Sequence, residues 1–316
     1  MNRGIQDILQ AHIAQDDTII IGVSGGPDSV YLLLQALQYT KKIIIAHLDH
    51  QTRGKESKKD AEFTHSLAKK NNLPFEIKKI PKKTKGNTEE YFRNQRYAFF
   101  EAVRKKYKAK WILTAHHLND NIETVLFNLA KGSSIDGLSG MEMVDPDRKL
   151  LRPLLFTPKE TILKYLEETK TPYKEDQTNK DTAYARNRVR HNVIPELKTI
   201  NSSLEQTLAQ NIANLQELKA YLREMSASWI EQHSQERTIS LKAFQKLHPA
   251  MQKNVLFRLY ENYHGQGKRL NQSHLNQILK IVHQSRTNRK KEFGKGCTLL
   301  ITKENGERVI QITKEK

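Results

Sequence analysis

Over its first two hundred residues the chain alternates short, nearly continuous apolar runs with longer segments whose apolar positions recur at helical spacing. Residues 18–23, 42–49, 74–77 and 111–115 read as strands. Between them, residues from 30 on, 58–70 and 87 to about 106 read as helices. Strand and helix in strict alternation imply right-handed crossover units and a parallel sheet covered on both faces, an α/β, Rossmann-like fold. A further helix is predicted from Pro158, placed at its first position, through Leu166. From about residue 201 the texture changes: Leu204, Leu208, Ile212, Leu215, Leu218 and Leu222 mark one apolar helical face. Helices are expected at 249–263 and 271–283, and apolar runs at 298–301 and 309–312 flank Asn305-Gly306, a two-residue hairpin signal. The expectation is therefore a first domain over 1–200 and a smaller, mainly helical domain over 201–316 that ends in a β-hairpin.

Composition narrows the function classes. With 316 residues, 37% of them hydrophobic, the chain can build two ordinary cores and is not disordered. No apolar run is long enough for a membrane span and residues 1–7 lack a signal-peptide layout, so a cytoplasmic location is expected. The formal charge is +18, with nine net positive charges in residues 1–200 and nine in 201–316. Basic character in both parts fits a long polyanion bound through counterion release. Charge alone does not separate DNA from RNA. A single cysteine, Cys297, rules out an intrachain disulfide, a Cys-x-x-Cys pair and a cysteine-held cluster within one subunit.

Candidate chemistry starts at Ser24, Gly25, Gly26, Pro27, Asp28 and Ser29, which join the first strand to the first crossover helix. Glycines let a backbone approach an anion, and a helix start offers free N–H groups and a positive dipole end. No Lys follows the glycines, unlike the loop in which Lys reaches the β/γ-phosphates, and the Gly-x-Gly-x-x-Gly pattern fails as well. Taken alone the segment is also compatible with a Gly-Gly turn. At the junction after the 111–115 strand stand His116, His117, Asn119, Asp120 and Glu123. Asp120 and Glu123 share a helix face, which suits Mg²⁺ held by oxygen ligands or a group that orients an attacking amine. Asp120 can equally serve as a first-turn dipole partner. No cysteine or third histidine stands at a zinc spacing. On the 87–106 helix, Glu89, Arg93, Arg96 and Tyr97 form a stripe able to clamp phosphates or to make solvated Glu–Arg pairs. Arg186, Arg188, Arg190 and His191 make a basic patch suited to a polyanion, or simply a charged surface.

Taken jointly, Ser-Gly-Gly-Pro-Asp-Ser at 24–29, His-Leu-Asp-His at 47–50 with Arg53, residues 87–97, residues 114–124, Gly-Leu-Ser-Gly-Met at 137–141, Arg-Pro-Leu-Leu at 152–155 and Arg-Asn-Arg-Val-Arg-His at 186–191 resemble the tRNA(Ile)-lysidine synthetase family of the ATP-pyrophosphatase (PP-loop) superfamily. The first loop is common to the superfamily, whereas the later order and spacing are specific to this branch. The family usually carries Asp where this chain has Asn119, and a carboxamide keeps the oxygen acceptor but loses the charge. The resemblance implies ATP-dependent adenylation of the wobble cytidine of tRNA(Ile) with a CAU anticodon, at its C2 oxygen, followed by attack of L-lysine and release of AMP. It implies that residues 24–29, with His116 in support, hold ATP, that Asp28 and Asp120 hold Mg²⁺, and that Asp28, Arg93, Asp120 and Glu123 are catalytic. Arg96, Arg186, Arg188, Arg190 and His191 are then expected on the RNA. The main rival, a PP-loop tRNA thiolase, needs paired cysteines that this chain lacks; a non-catalytic tRNA-binding module is the other alternative. Oligomeric state is left open, with a homodimer as one option.

Overall fold

The computed structural model describes residues 4–49, 55–80, 88–174, 185–235, 238–264, 272–284, 289–293, 297–304 and 306–314. His50, Arg53, Asn87 and the segment 175–184 lie outside them. The chain divides into two compact units, Met1–Ser133 with Gly140–Ile212 and Ser134–Ser139 with Ala213–Lys316.

The first unit follows the order α1 (Ile5–His12), β1 (Ile19–Gly22), α2 (Pro27–Tyr39), β2 (Ile43–Asp49), α3 (Lys55–Lys70), β3 (Phe75–Lys79), α4 (Thr88–Lys106), β4 (Trp111–Leu113) and α5 (Leu118–Ala130). After the short α6 (Ile135–Leu138) come β5 (Val144–Asp145), β6 (Leu150–Leu151), α7 (Lys159–Glu168), α8 (Ala185–Arg188), a π-helical turn over Val189–Val193 and α9 (Ile194–Ile200). Six strands form one sheet in the order β3-β2-β1-β4-β6-β5, parallel except for β5. The apolar runs are continuous because both faces are covered. Ile19, Ile21, Ile43 and Ile45 pack with Leu33, Ala36 and Ile162 on one side, and Ile20, Ile44 and Ile112 with Phe99, Phe100 and Val103 of α4 on the other. Gly22 ends β1 for a steric reason: a Cβ there would lie 2.6 Å from Phe100 Cζ. The strand order reverses between β1 and β4, so the loops after these two strands face one crevice, where α/β sheets take their ligands.

In the second unit, α10 (Leu204–His233), which begins in the first, is followed by β7 (Ser234–Gln235), β8 (Thr238–Ser240), α11 (Leu241–Gln245), α12 (Pro249–His264), α13 (Gln272–Gln284), β9 (Arg289–Phe293), β10 (Cys297–Glu304) and β11 (Glu307–Lys314). The expected hairpin is β10–β11, and three further strands join it in an antiparallel sheet of order β7-β8-β11-β10-β9. Leu299, Ile301, Ile310 and Ile312 of the hairpin pack on Phe244, Leu256 and Ile278. The long apolar face expected on α10 is not buried throughout. Leu204 and Ile212 are buried, but Leu218 is 49% exposed.

Candidate active site

Ser24–Gly26 turn the chain from β1 into α2, with Gly26 as N-cap and Pro27 in the first turn, where its missing N–H costs nothing. Gly25 holds φ +91°, a left-handed conformation that favours glycine, and a Cβ on it would meet Phe63 at 3.3 Å and Thr64 Oγ1 at 3.4 Å. Two serines tie the turn to the helix. The Ser24 N–H donates to Ser29 Oγ at 3.2 Å, the Gly26 N–H donates to Ser24 Oγ at 3.3 Å, and Ser29 Oγ–H donates to the Gly26 carbonyl at 2.9 Å. From outside, the Lys174 N–H donates to the Gly25 carbonyl at 2.9 Å, and the ring of buried His47 lies with Nδ1 2.8 Å from the Val23 carbonyl.

The junction after β4 faces this loop. His117, buried, sits between two carboxylates, its Nε2 3.7 Å from Asp28 Oδ1 and 3.5 Å from Asp120 Oδ2. Asp120 works through both oxygens. Oδ2 accepts from the His117 N–H at 3.1 Å, capping α5, while Oδ1 lies 3.5 Å from Arg190 Nη2. Asp120 thus caps α5 and at the same time faces His117 and Arg190. Arg190 was expected on the RNA, but its guanidinium is engaged here: it donates to the two oxygens of Glu123 at 2.5 and 3.0 Å. It stands on the π-helical turn, where the Ile194 N–H reaches back five residues to the Val189 carbonyl, a widened turn of the kind found at functional sites. Burial lifts the Glu123 carboxyl above its ordinary range, and the hydrogen bond and charge of Arg190 pull it part of the way back.

Lys159 carries no sequence motif, yet its ammonium pairs with Asp28 from the first turn of α7. The backbone N–H of Lys159 donates to Asn119 Oδ1 at 2.9 Å. Asn119, which departs from the family pattern, therefore caps α7 rather than joining the carboxylates. A signal for Lys159 was present: a lysine at a helix start opposes the dipole and needs a local anion.

His116 sits on the other side of the junction, with Nδ1 2.9 Å from Thr114 Oγ1. Desolvation lowers its pKa to about 4, helped by the charges of Arg152, Arg96 and Arg93 and opposed by Asp120. The imidazole is thus neutral at pH 7, in a cationic corner. Arg96 is itself destabilised as a cation by desolvation and by Arg93. Exposed Arg93 and Arg148 lie 5.9 and 5.7 Å from the Tyr97 ring centroid. Buried Arg152 donates to the Glu142 carbonyl at 2.6 Å. Arg186 lies 5.8 Å from the ring centroid of Phe127, and Arg188 and His191 are exposed. The side chain of Glu89 is outside the described residues.

Whether these residues suit a magnesium nucleotide can be judged from the donor set. Asp28 and Asp120 supply two carboxylates on either side of His117, and among the described residues no group of three or more His, Cys, Asp or Glu is placed to hold a metal ion by itself. That matches Mg²⁺ as nucleotide sites use it, with one or two carboxylates and the remaining ligands from phosphates and water. Among the described residues His117 Nδ1 and Arg152 Nε are buried with no hydrogen-bond partner, a condition that a polar ligand relieves.

Fold and site together define a nucleotide-binding PP-loop domain, and the PP-loop domain family matches residues 1–197. The chain belongs to that family. It is 32% identical over 279 residues to the tRNA(Ile)-lysidine synthase of Bacillus thuringiensis subsp. konkukian, covering 81% of this chain and 59% of the relative. To the tRNA(Ile)-lysidine synthase of Thermosipho africanus it is 38% identical over 221 residues, 67% of this chain and 51% of the relative. The chain thus spans between half and three fifths of the length of these two relatives. Among solved structures, the U34-tRNA thiolase NcsA from Methanococcus maripaludis with its [4Fe-4S] cluster superposes with TM-score 0.54 at 14% identity, over 67% of this chain and 78% of that one. That likeness concerns the fold alone. No helix among the described residues is long and apolar enough to cross a membrane.

Proposed function

We propose that the chain carries out the reaction its relatives are named for: ATP-dependent conversion of the wobble cytidine of a CAU-anticodon tRNA(Ile) to lysidine, in the cytoplasm. The observation that carries this reading is the convergence of Asp28, Lys159, His117, Asp120, Glu123 and Arg190 beside the Gly25 turn. In this reading residues 1–200 perform the adenylation and 201–316 take part in tRNA recognition.

C2 of cytosine is a poor electrophile. Attack of its O2 on the α-phosphorus of ATP, with pyrophosphate leaving, turns that oxygen into part of a good leaving group. The amine of L-lysine then attacks C2, AMP departs with the oxygen, and the amine loses a proton. Gly25, Gly26 and the start of α2 receive the phosphates through backbone N–H groups. Lys159 brings a positive charge to the loop from another helix, and that charge can pass from Asp28 to an incoming phosphate. Mg²⁺, held by Asp28 and Asp120, would supply charge neutralisation at the phosphates. Arg93 stabilises negative charge developing during adenylation, with neutral His116 close to the nucleotide. Asp120 and Glu123 position the lysine ammonium and accept its proton, and Arg190 holds Glu123 in place and keeps it ionised. Arg186, Arg188, His191 and Arg96 remain the residues proposed for phosphate contacts, which orient an RNA without selecting it.

The test is incubation with ATP, labelled L-lysine and a cytidine-34 tRNA(Ile) transcript. Label on the tRNA, with AMP released only when lysine and tRNA are both present, is the expected result. Pyrophosphate release without lysine incorporation would replace lysine by another nucleophile. Tight tRNA binding with no pyrophosphate release would leave a binding module.

A further inference from the structure

Within the second unit a cavity of about 360 Å³ is lined by Trp229, His233, Ser240, Lys242, Lys246 and Leu247. Its aromatic wall is the Trp229–His233 pair, backed by Phe244. Phe244, fully buried, meets the Trp229 ring edge-on at 6.4 Å and 68°, and the His233 ring lies flat on Trp229 at 4.5 Å and 10°. The imidazole is fixed in orientation. Its Nδ1 lies 2.9 Å from the Trp229 carbonyl, which can only accept, so Nδ1 carries the proton and Nε2 is the acceptor of the neutral ring. At the rim Lys242 and Lys246 stand four residues apart, both exposed, and neither has an ion-pair partner among the described residues.

We propose that this cavity is a stacking site for one unpaired RNA nucleotide, whose base lies on the imidazole of His233 and whose phosphates meet Lys242 and Lys246. Every base presents a π-face, so a rigid aromatic platform beside a cationic rim is sequence-tolerant recognition of single-stranded nucleic acid. The volume suits a small planar ligand. An acidic peptide would use the two lysines but gain little from the flat Trp229–His233 stack. The proposal rests on the reading that the substrate is an RNA, and it adds a contact in the second unit, separate from the loops that carry the chemistry.

The chain has two tryptophans, Trp111 and Trp229. In a Trp111→Phe background the emission therefore reports on Trp229 alone. Titration with a short single-stranded RNA and with the tRNA transcript should give saturable quenching. His233→Ala should weaken RNA binding roughly tenfold, and His233→Phe, which keeps a stacking ring, should restore it. The double variant Lys242→Ala, Lys246→Ala should lower the slope of log affinity against log salt by about 1.4. Turnover at saturating tRNA should be unchanged in all three. Absence of quenching, or an unchanged affinity and salt slope, would overturn the proposal, as would quenching by a glutamate-rich peptide but not by RNA. The two readings fail separately: quenching without lysine incorporation rejects lysidine formation alone, and incorporation without quenching rejects the stacking site alone.

Discussion

Two carboxylate–cation pairs flank His117, and they are built differently. Glu123 and Arg190 share a two-pronged contact in which the carboxylate side chain is only 7% exposed. Asp28 and Lys159 meet at one oxygen, and both side chains are somewhat under a third exposed. A bidentate contact to a buried carboxylate is held in one geometry, because losing the Arg190 guanidinium strands the Glu123 charge away from water, although Arg190 itself is a third exposed. A single contact reached by solvent can exchange its partner for a phosphate or a cation at small cost. The first pair is thus a fixed brace and the second an exchangeable latch, a difference that orders the expected effects of substitution.

The largest effect is expected where a carboxylate itself meets the nucleotide. Asp28→Ala and Asp120→Ala should each lower lysine-dependent AMP release by roughly a thousandfold, the scale of losing a preorganised charge contact, while tRNA affinity in a filter assay stays within about twofold. Near-normal turnover in either variant would remove that residue from the site, and in Asp28→Ala it would also erase the contrast between brace and latch.

Arg190→Ala should come next, at roughly a hundredfold in rate, and its signature is in pH. Burial already raises the Glu123 carboxyl, and Arg190 counteracts that rise. Without the guanidinium the folded-state pKa climbs further, so the acid limb of the rate profile should move to higher pH. The sign for stability is equally definite. A carboxyl whose folded pKa lies above its unfolded value contributes stability at low pH that is lost as pH rises through the folded pKa. The loss of melting temperature in Arg190→Ala, corresponding to about 3 kcal/mol at neutral pH, should therefore shrink on acidification towards the ordinary carboxylate range. An acid limb that stayed in place would mean that Glu123 is not the group Arg190 serves.

Lys159→Ala should raise the KM for ATP by about five- to tenfold with a smaller change in kcat, and Lys159→Arg should recover most of it, as expected for a partly exposed charge contact. A loss of kcat as large as that of Asp28→Ala, with KM unchanged, would make Lys159 a participant in the chemical step and not a latch.

How much of this was legible in the sequence depends on how far apart the partners stand along the chain. The loop at 24–29 is local: glycines, serines and Pro27 lie within six residues of an apolar run, so its shape as a turn from strand into helix could be read directly. The Asp120–Glu123 spacing is local too. Arg190 lies 67 residues from Glu123 and Lys159 lies 131 from Asp28, and no periodicity joins them. Arg190 stood among other basic residues in a segment that reads as a polyanion patch, and only packing against α5 turns it inward. In the second unit β10 and β11 announce themselves by apolar alternation around Asn305-Gly306. Arg289, Lys290, Lys291 and Glu292 of β9 do not, because an edge strand is blunted with charge and takes its register from its neighbour.

The smallest expected effect tests whether Asn119 belongs to the latch or to the carboxylate set. Its side-chain oxygen accepts from the Lys159 N–H at the start of α7, a task that a carboxylate performs equally well and that the helix dipole favours. Asn119→Asp should therefore leave turnover within about threefold, since the new charge sits at a helix N-terminus. Asn119→Ala removes the acceptor, costs about 1 kcal/mol of cap, and loosens the segment that presents Lys159 to Asp28. Its defect should follow that of Lys159→Ala, a raised KM for ATP, and the double variant Asn119→Ala, Lys159→Ala should be little worse than Lys159→Ala alone. Additive losses in that cycle would mean that Asn119 acts by a route independent of the lysine. A large fall in kcat with Asn119→Asp would show instead that the neutral amide has its own part in the reaction, and the departure from the family pattern would then mark a change in chemistry rather than an equivalent cap.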